Sequence, residues 1–174
     1  MPITRGEARP ITHYGTPVLH RRCADVTDFG EPLAEPLDDM FASMYAAEGV
    51  GLAANQIGVD LRVFVYDCPD DEGTRHVGHV VNPQLQAASA LAGTDTGTEG
   101  CLSVPGPRAE VPRAARATVT GFDRDGAPIT VTGTGFFARC LQHECDHLDG
   151  TVYVDRLPAQ QRDRLLREAG LPSR

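Results

Sequence analysis

Residues 136–148 read FFARCLQHECDHL, a run that contains neither Gly nor Pro. The run predicts a helix, because Phe137 and Leu141 begin a stripe of apolar side chains at helical spacing. A second face of the same helix carries His143 and His147, which are four residues and about one turn apart. Both imidazoles can therefore reach one metal ion, and their apolar neighbours suggest that they lie at the floor of a pocket.

The second half of the run contains the pattern H-E-x-x-H, which is typical of metal-assisted hydrolysis. Glu144 lies at the edge of the face that carries the two imidazoles, where it can deprotonate a water molecule bound to the metal. The alternative is a chance occurrence of this short pattern on a solvated helix, and the apolar residues around it argue against that. Two imidazoles leave the site one protein ligand short of the usual three.

The residues after the helix do not supply the third ligand. One peptidase class continues the pattern as HExxHxxGxxH; Gly150 matches it here, but Tyr153 stands where the third His would be. Upstream, Cys101 in the stretch EGCLS is one candidate, and Cys140 on the His face is another. Three ligands from one short helix would strain a tetrahedral site, which favours Cys101, although an isolated Cys is more often a buried thiol.

The length and composition of the chain predict a single domain, residues 1–174, outside any membrane. No stretch approaches ~18 consecutive apolar residues, and the N-terminus lacks the apolar core of a signal peptide, so a cytoplasmic protein is expected. A net charge of −8 argues against binding to DNA. The five Cys, an odd number, are expected to be thiols rather than a disulfide framework.

Helices and strands do not alternate regularly along the chain, which predicts an α+β fold with mostly antiparallel sheets. Apolar spacing indicates a helix from Leu37 that ends at Gly49, a natural capping position. Residues 1–10 are expected to be loosely ordered, and residues 158–170 to form a C-terminal helix. Composition indicates the remaining elements: strands at 62–66 and 76–82, a loop or weak strand at 86–98, and a hairpin from 118–122 and 129–132.

A third informative segment, GVGLAANQ, spans residues 49–56. Gly49 and Gly51 flank Val50 and permit another group to approach the backbone closely. Gln56 is an uncharged hydrogen-bond donor that could stabilise an oxyanion. A helix cap followed by a turn of small residues explains the same segment equally well.

Three of these segments, residues 49–56, 99–103 and 142–148, resemble in this order the three motifs of the peptide deformylase family. Residues 14–19 also resemble the family's usual opening, so the resemblance covers nearly the whole chain. It implies antiparallel sheets around a central helix that carries the H-E-x-x-H. It also implies an enzyme that removes the formyl group from the N-terminal formylmethionine of newly made chains, releasing formate. A metallopeptidase that uses the same helix is the alternative.

The resemblance implies one divalent metal ion per chain, commonly Fe²⁺ in this family, with Zn²⁺ or Ni²⁺ also able to serve. Its ligands would be one thiolate and two imidazoles, those of Cys101, His143 and His147. Glu144 would pass the proton from water to the departing amine. The Gln56 side-chain amide and the Leu102 backbone N–H would stabilise the oxyanion.

The methionine side chain of the substrate needs an apolar pocket, and the Gly49–Gly51 backbone could pair with the extended substrate as an added strand. A tight site around Gly51 and Leu102 could exclude acyl groups larger than formyl. Glu99 is expected to hold a metal ligand in place while paired with Arg108 or Arg113. The candidate substrate-binding residues come from the first motif and the helix: Gly49, Val50, Gly51, Phe136 and Cys140.

Two positions depart from the family's pattern, and they leave the shape of the pocket open. Arg139 stands where an apolar pocket residue is usual, and Gly97 replaces a larger apolar residue.

The C-terminal tail is basic although the chain as a whole is acidic. From Arg156 to Arg174, five Arg face only Asp163 and Glu168, a local charge of +3. An enzyme of nascent chains could use this charge to dock on the ribosome. A solvated helix face is the alternative interpretation.

Overall fold

The computed structural model describes residues 5–86 and 93–173. Within them, the α-helices are α1 (Ala34–Ala46), α2 (Gly135–Leu148) and α3 (Ala159–Glu168). The strands are β1 (Gly51–Ala53), β2 (Val63–Pro69), β3 (Arg75–Leu85), β4 (Thr94–Cys101), β5 (Val104–Ala114), β6 (Arg116–Phe122) and β7 (Pro128–Thr134).

Five strands form one antiparallel sheet in the order β1-β2-β3-β6-β7, and β4 pairs with β5 in a separate two-stranded sheet. Helix α2 lies across the large sheet and contacts all five of its strands. Helix α1 packs near β1 and β2, and α3 packs against β5. The α+β fold with a central helix and a C-terminal helix is therefore as predicted.

Helix α2 is buried on every side rather than on one face. All of its residues from 137 to 148 are buried. Phe137 and Leu141 pack with Phe64 and Val119 of the large sheet, as the apolar stripe predicts. Burial of the polar side chains on the other faces is unfavourable unless each one finds a hydrogen-bond or ionic partner. The partners of these polar residues build the site described below.

Side chains from other segments hold both ends of α2. At its start, the Phe136 N–H donates to Asp71 Oδ1 over 3.0 Å. At its end, Asn55 Nδ2 donates to the His147 carbonyl over 2.7 Å, and Arg62 Nη1 donates to the Leu148 carbonyl over 2.9 Å. These bonds satisfy backbone groups that have no partner within the helix, and they fix its position against the sheet.

The prediction that the first helix ends at Gly49 is wrong by a few residues. Helix α1 ends at Ala46, and the left-handed residue is Glu48, with a φ of 57°. The Glu48 N–H donates to the Tyr45 carbonyl over 3.1 Å, and the Gly49 N–H donates to the Met44 carbonyl over 2.9 Å. These two bonds close the end of the helix. They require Glu48, and not Gly49, to adopt the left-handed conformation.

Other predicted elements agree with the structure. The predicted strands correspond to β2 and β3, and the predicted hairpin to β6 and β7. The C-terminal helix is present as α3. Of the predicted loop or weak strand at 86–98, the part from Thr94 onward is strand β4, whereas residues 87–92 lie outside the described residues.

The described part of the N-terminal segment runs along α1. The Glu7 N–H donates to Asp39 Oδ1, and the Arg9 N–H to Ser43 Oγ, each over 2.8 Å. Residues 1–4 lie outside the described residues. In the described part of the chain, every helix is too short or too polar to cross a membrane.

Candidate active site

Three potential metal ligands converge where α2 passes the end of β4. His143 Nε2 and His147 Nε2 lie 3.1 Å apart, and Cys101 Sγ lies 3.3 Å from His147 Nε2. All three ligand atoms lie within 4.8 Å of one another. Tetrahedral zinc–nitrogen bonds of about 2.0–2.1 Å place two nitrogen ligands about 3.3 Å apart, so these donors fit one metal ion.

The local chain path explains how Cys101 reaches the two imidazoles. Cys101 is the last residue of β4 and pairs with Val104, so the chain reverses in a tight turn through Leu102 and Ser103. The Ser103 N–H points back to Cys101 Sγ over 3.4 Å. The turn therefore places the thiol of Cys101 beside α2.

Glu99 holds His143 in place by accepting a hydrogen bond from the ring nitrogen that faces away from the other ligands. His143 Nδ1 lies 2.6 Å from Glu99 Oε1, which leaves Nε2 free for a metal. Arg113 donates to both oxygens of this carboxylate, over 2.7 and 2.9 Å. Burial of Glu99 favours a higher pKa, but hydrogen bonds from Arg113 and His143 outweigh it and lower the pKa far below the usual range. Glu99 is therefore a carboxylate.

Arg108, the alternative partner expected for Glu99, does not occupy that position. Its side chain is exposed and lies across Gly100. Residues of β5 alternate between buried and exposed positions, with Val111 and Arg113 buried. Arg108 therefore lies on the face of the strand opposite to Arg113. The sequence alone did not show which face of β5 is buried.

The two imidazoles have different electrostatic surroundings. Burial lowers the pKa of His147 well below its usual value. For His143, burial acts in the same direction, but contacts with Cys101 and Glu99 outweigh it and raise the pKa. His147 is therefore a neutral ring, which is the form that can donate a lone pair to a metal.

Glu144 lies beside the ligands, in contact with the first motif. Burial raises the pKa of its carboxyl group to about 7. A Cβ atom on Gly51 would lie only 2.5 Å from Glu144 Oε1, so the carboxyl group approaches this backbone as closely as a glycine allows. Glu144 Oε2 is buried without a hydrogen-bond partner among the described residues. This oxygen is thus unpaired among them, and Glu144 is next in the chain to the potential ligand His143.

Gln56 is oriented by bonds at both ends of its side-chain amide. Its Oε1 accepts from the Ala53 N–H over 3.0 Å, and its Nε2 donates to Ser103 Oγ over 3.2 Å. The same Nε2 lies 3.6 Å from Cys101 Sγ. The amide therefore presents N–H groups, not its oxygen, to the cluster of ligands.

A cavity of about 430 Å³ opens beside these residues, between the edge strand β1 and the strand β4. Gln56, Leu102 and Glu144 lie in its wall together with Cys101 and His143. The five candidate substrate-binding residues also line it: Gly49, Val50, Gly51, Phe136 and Cys140.

The sequence analysis missed several ion pairs that support the cluster. Arg113 Nη1 donates to Asp146 Oδ2 over 2.6 Å, and Arg156 Nε donates to the same oxygen over 2.6 Å. Arg139 Nη1 donates to Glu99 Oε2 over 2.8 Å. A signal was present, since Arg139 and Asp146 are charged residues on a helix whose apolar stripe predicts that it packs against the core.

A partly buried thiol and two buried imidazoles beside a carboxyl group, in an α+β fold, define a metal-dependent hydrolase. The sequence profile described as polypeptide deformylase matches residues 8–163. Peptide deformylase 2 of Streptomyces avermitilis is 62% identical over 169 residues, covering 97% of this chain and 90% of that protein. Peptide deformylase 2 of Streptomyces coelicolor is 57% identical over 173 residues, covering 99% and 96%.

Solved structures agree with the sequence comparisons. A peptide deformylase from Legionella pneumophila has a TM-score of 0.84 and 40% identity, with 94% of each chain covered. A peptide deformylase from Ehrlichia chaffeensis in complex with actinonin has a TM-score of 0.85 and 34% identity, covering 93% of this chain and 95% of that one.

The chain therefore belongs to the peptide deformylase family. It is an enzyme that hydrolyses the formyl amide of N-formylmethionyl peptides, in a metal-dependent reaction. These comparisons do not favour a metallopeptidase built on the same helix.

Replacing Gly51 by Ala should lower turnover of a formyl-Met peptide by at least about 10²-fold and leave metal bound. The new methyl group would meet Glu144 Oε1 at 2.5 Å, so this carboxyl group would have to turn away. Gly49→Ala is the control and should be milder, because the nearest atom to its methyl group would be the end of the Leu102 side chain, at 2.9 Å, and the next neighbours would lie at 3.5 Å or beyond. Steady-state turnover and metal analysis test both variants, and a Gly51→Ala enzyme as fast as the wild type would contradict this expectation.

Proposed function

We propose that Cys101, His143 and His147 hold the divalent metal ion of the deformylase reaction, and that Glu144 moves the proton. The observation that carries this proposal is the convergence of three ligand atoms within 4.8 Å, with Cys101 and His143 in the wall of a cavity. The chemistry of the donor set supports it, since one thiolate and two imidazoles suit Fe²⁺ and Zn²⁺. When bound, such an ion would lower the pKa of water and polarise the formyl carbonyl group.

Glu144 acts as the general base and then as the general acid. Its free Oε2 accepts a proton from the attacking water molecule and returns it to the amine that leaves. The pKa of about 7 that burial imposes on this carboxyl group suits both directions of transfer, although a bound cation would oppose the shift. Gly51 keeps the carboxyl group in place because no side chain separates the two residues.

Gln56 and Leu102 stabilise the negative charge that develops on the formyl oxygen. The bonds from Ala53 and to Ser103 orient the Gln56 amide before substrate arrives, so its N–H groups need no rearrangement during the reaction. Leu102 adds its backbone N–H from the tight turn next to Cys101.

The substrate binds in the cavity as an extended strand. Strand β1 is an edge of the large sheet, so the backbone from Gly49 to Gly51 can pair with the peptide. Phe136 and Cys140 contact the methionine side chain from the wall of the cavity. The close approach of Gly51 to Glu144 leaves little room around the acyl carbon, which favours formyl over larger acyl groups.

The Glu144→Ala enzyme should lose at least about 10²-fold in turnover of a formyl-Met peptide while keeping its metal. The loss follows because Glu99, the other buried carboxylate in the cavity wall, is already bound to Arg113, Arg139 and His143. The Cys101→Ser enzyme should instead lose metal as well as activity. Formate release and metal content measured together separate the two roles, and substantial turnover by Glu144→Ala would refute the mechanism.

We propose Fe²⁺ as the native ion. A thiolate with two imidazoles accommodates both Fe²⁺ and Zn²⁺, so the donor set alone does not discriminate between them. Protein purified without oxygen should contain iron and lose activity rapidly in air, because the ion or the Cys101 thiolate becomes oxidised. The check is metal analysis of the anaerobic protein together with its activity before and after exposure to air. A protein that contains zinc and keeps its activity in air would exclude Fe²⁺.

We propose that the enzyme acts in the cytoplasm on nascent chains and contacts the ribosome through α3. Arg164 and Arg167 are exposed on this helix, whereas Leu165 and Leu166 are buried against β5 and its surroundings. Deleting the tail would therefore damage the core along with the basic surface. A solvated helix face with no partner is the alternative.

Replacing Arg164 and Arg167 together by Gln should weaken binding to ribosomes at low salt by about tenfold, since two phosphate-binding cations are lost. Cosedimentation with ribosomes measures the effect, and turnover of a short formyl peptide should stay unchanged. Arg116→Gln, an exposed Arg on β6, serves as the matched control. Equal binding by the double variant and the control would eliminate α3 as the docking surface.

A further inference from the structure

Arg139 is a buried cation next to the proposed metal site that the mechanism above does not use. It lies on α2 one turn before His143 and is only 3% exposed. An arginine is almost never buried to this extent unless its donors are paired. Its guanidinium group meets four acceptors: Glu99 Oε2 at 2.8 Å, the Val111 carbonyl at 2.5 Å, the Asp95 carbonyl at 2.9 Å and Asp95 Oδ2 at 3.5 Å.

Gly97 provides the space in which this guanidinium group lies. A Cβ atom on Gly97 would come within 3.0 Å of Arg139 Nη2, 3.1 Å of Nε and 3.2 Å of Cζ. The face of the guanidinium plane therefore covers the position where a side chain would begin. Its bonds to Glu99 and to the two carbonyl groups prevent it from moving aside. A side chain at position 97 and an arginine at position 139 thus compete for one volume.

The contacts of Arg139 connect the two elements that carry the proposed metal ligands. Asp95, Gly97 and Glu99 all belong to β4, the strand that ends in Cys101, whereas Arg139 belongs to the helix that carries both imidazoles. Other bonds link α2 to β5: Arg113 reaches Asp146, and the Gln142 amide pairs with the Ala114 backbone. Among the described residues, the polar links from α2 to β4 itself are the bonds of Arg139, the His143–Glu99 bond and the contact between His147 and Cys101.

We propose that Arg139 and Gly97 form an interlocked pair that sets the distance between Cys101 and the two imidazoles. Arg139 is thus a positioning residue, which acts through Glu99 and β4 and not on the substrate. The two departures from the family's pattern are then one feature, because the glycine is required by the arginine. This inference rests on the ligand assignment under Proposed function.

The pair is tested by the rate at which a chelator removes Zn²⁺ from the loaded, full-length protein. Arg139→Met and Gly97→Ala should each accelerate metal loss by roughly 10–100-fold, the range typical of residues that support metal ligands. Arg139→Lys should not restore the wild-type rate, because one ammonium group cannot reproduce the planar fork of donors. Arg116→Met, an exposed arginine of β6, is the control and should match the wild type.

The double variant Gly97→Ala/Arg139→Met distinguishes an interlocked pair from two independent sites. Once the arginine is gone, the methyl group added at position 97 no longer meets a pinned guanidinium group, so metal loss should be no faster than in Arg139→Met alone. Effects that multiply, as independent sites require, would overturn the proposal. So would wild-type rates of metal loss in both single variants.

A second measurement reports on ligand geometry directly. With Co²⁺ in place of Zn²⁺, the visible absorption bands should shift in Gly97→Ala and Arg139→Met but not in Arg116→Met. Gly97→Ala keeps every donor of Arg139, so it remains informative if Arg139→Met fails to fold, which circular dichroism would show. Unshifted bands in a folded Gly97→Ala protein would overturn the proposal.

A Cys101→Ser variant separates this inference from the assignment on which it rests. If Cys101→Ser loses metal while Gly97→Ala and Arg139→Met retain it, only the positioning role fails. If Cys101→Ser holds metal as the wild type does, the ligand assignment itself is wrong.

Discussion

The Glu99 carboxylate is the charge around which the candidate active site is assembled. It is 5% exposed, and removing an ion from water is costly unless its oxygens are hydrogen-bonded to cations. His143, Arg113 and Arg139 together donate four bonds to it. Because these donors come from α2 and β5 while Glu99 lies on β4, satisfying one buried charge requires all three elements to meet in a single arrangement.

The same requirement extends along a chain of charges to the surface. Arg113 bridges Glu99 and Asp146, and Arg156 pairs with Asp146 from the segment that precedes α3. Removing one member of such a buried network leaves its partner uncompensated, which costs more than the bond itself contributes. The small β4–β5 sheet is therefore coupled electrostatically to α2, and β5 also packs against α3.

Helix α2 was predictable in detail because its signals are local. The absence of Gly and Pro, the apolar spacing and the four-residue separation of the two His belong to one run of sequence, and the helix extends from Gly135 to Leu148. The β6–β7 hairpin was equally local. The end of α1 was misplaced because Glu48 adopts a left-handed conformation that glycine prefers, which neighbouring residues do not reveal.

Arg108 and Arg113 show the limit of reasoning from spacing. Both lie on β5, and the sequence offered either as the partner of Glu99. They are an odd number of residues apart, so they point to opposite faces of the strand, and only the packed structure decides which face is buried. Arg139 and Gly97 were recognised as unusual without any sign that they touch, because 42 positions separate them in the chain.

The sequence by itself identified the candidate chemistry: a helix with two potential metal ligands, Glu144 as the proposed acid–base residue, and a family whose motifs point to Cys101 and Gln56. Side-chain type and short-range spacing are sufficient for that, since they define which atoms can bind a metal or move a proton. Only the tertiary structure decided which charged side chains compensate one another. That choice depends on which groups lose their water together when β4, β5 and α2 pack, and burial is a property of the assembled elements rather than of any one segment.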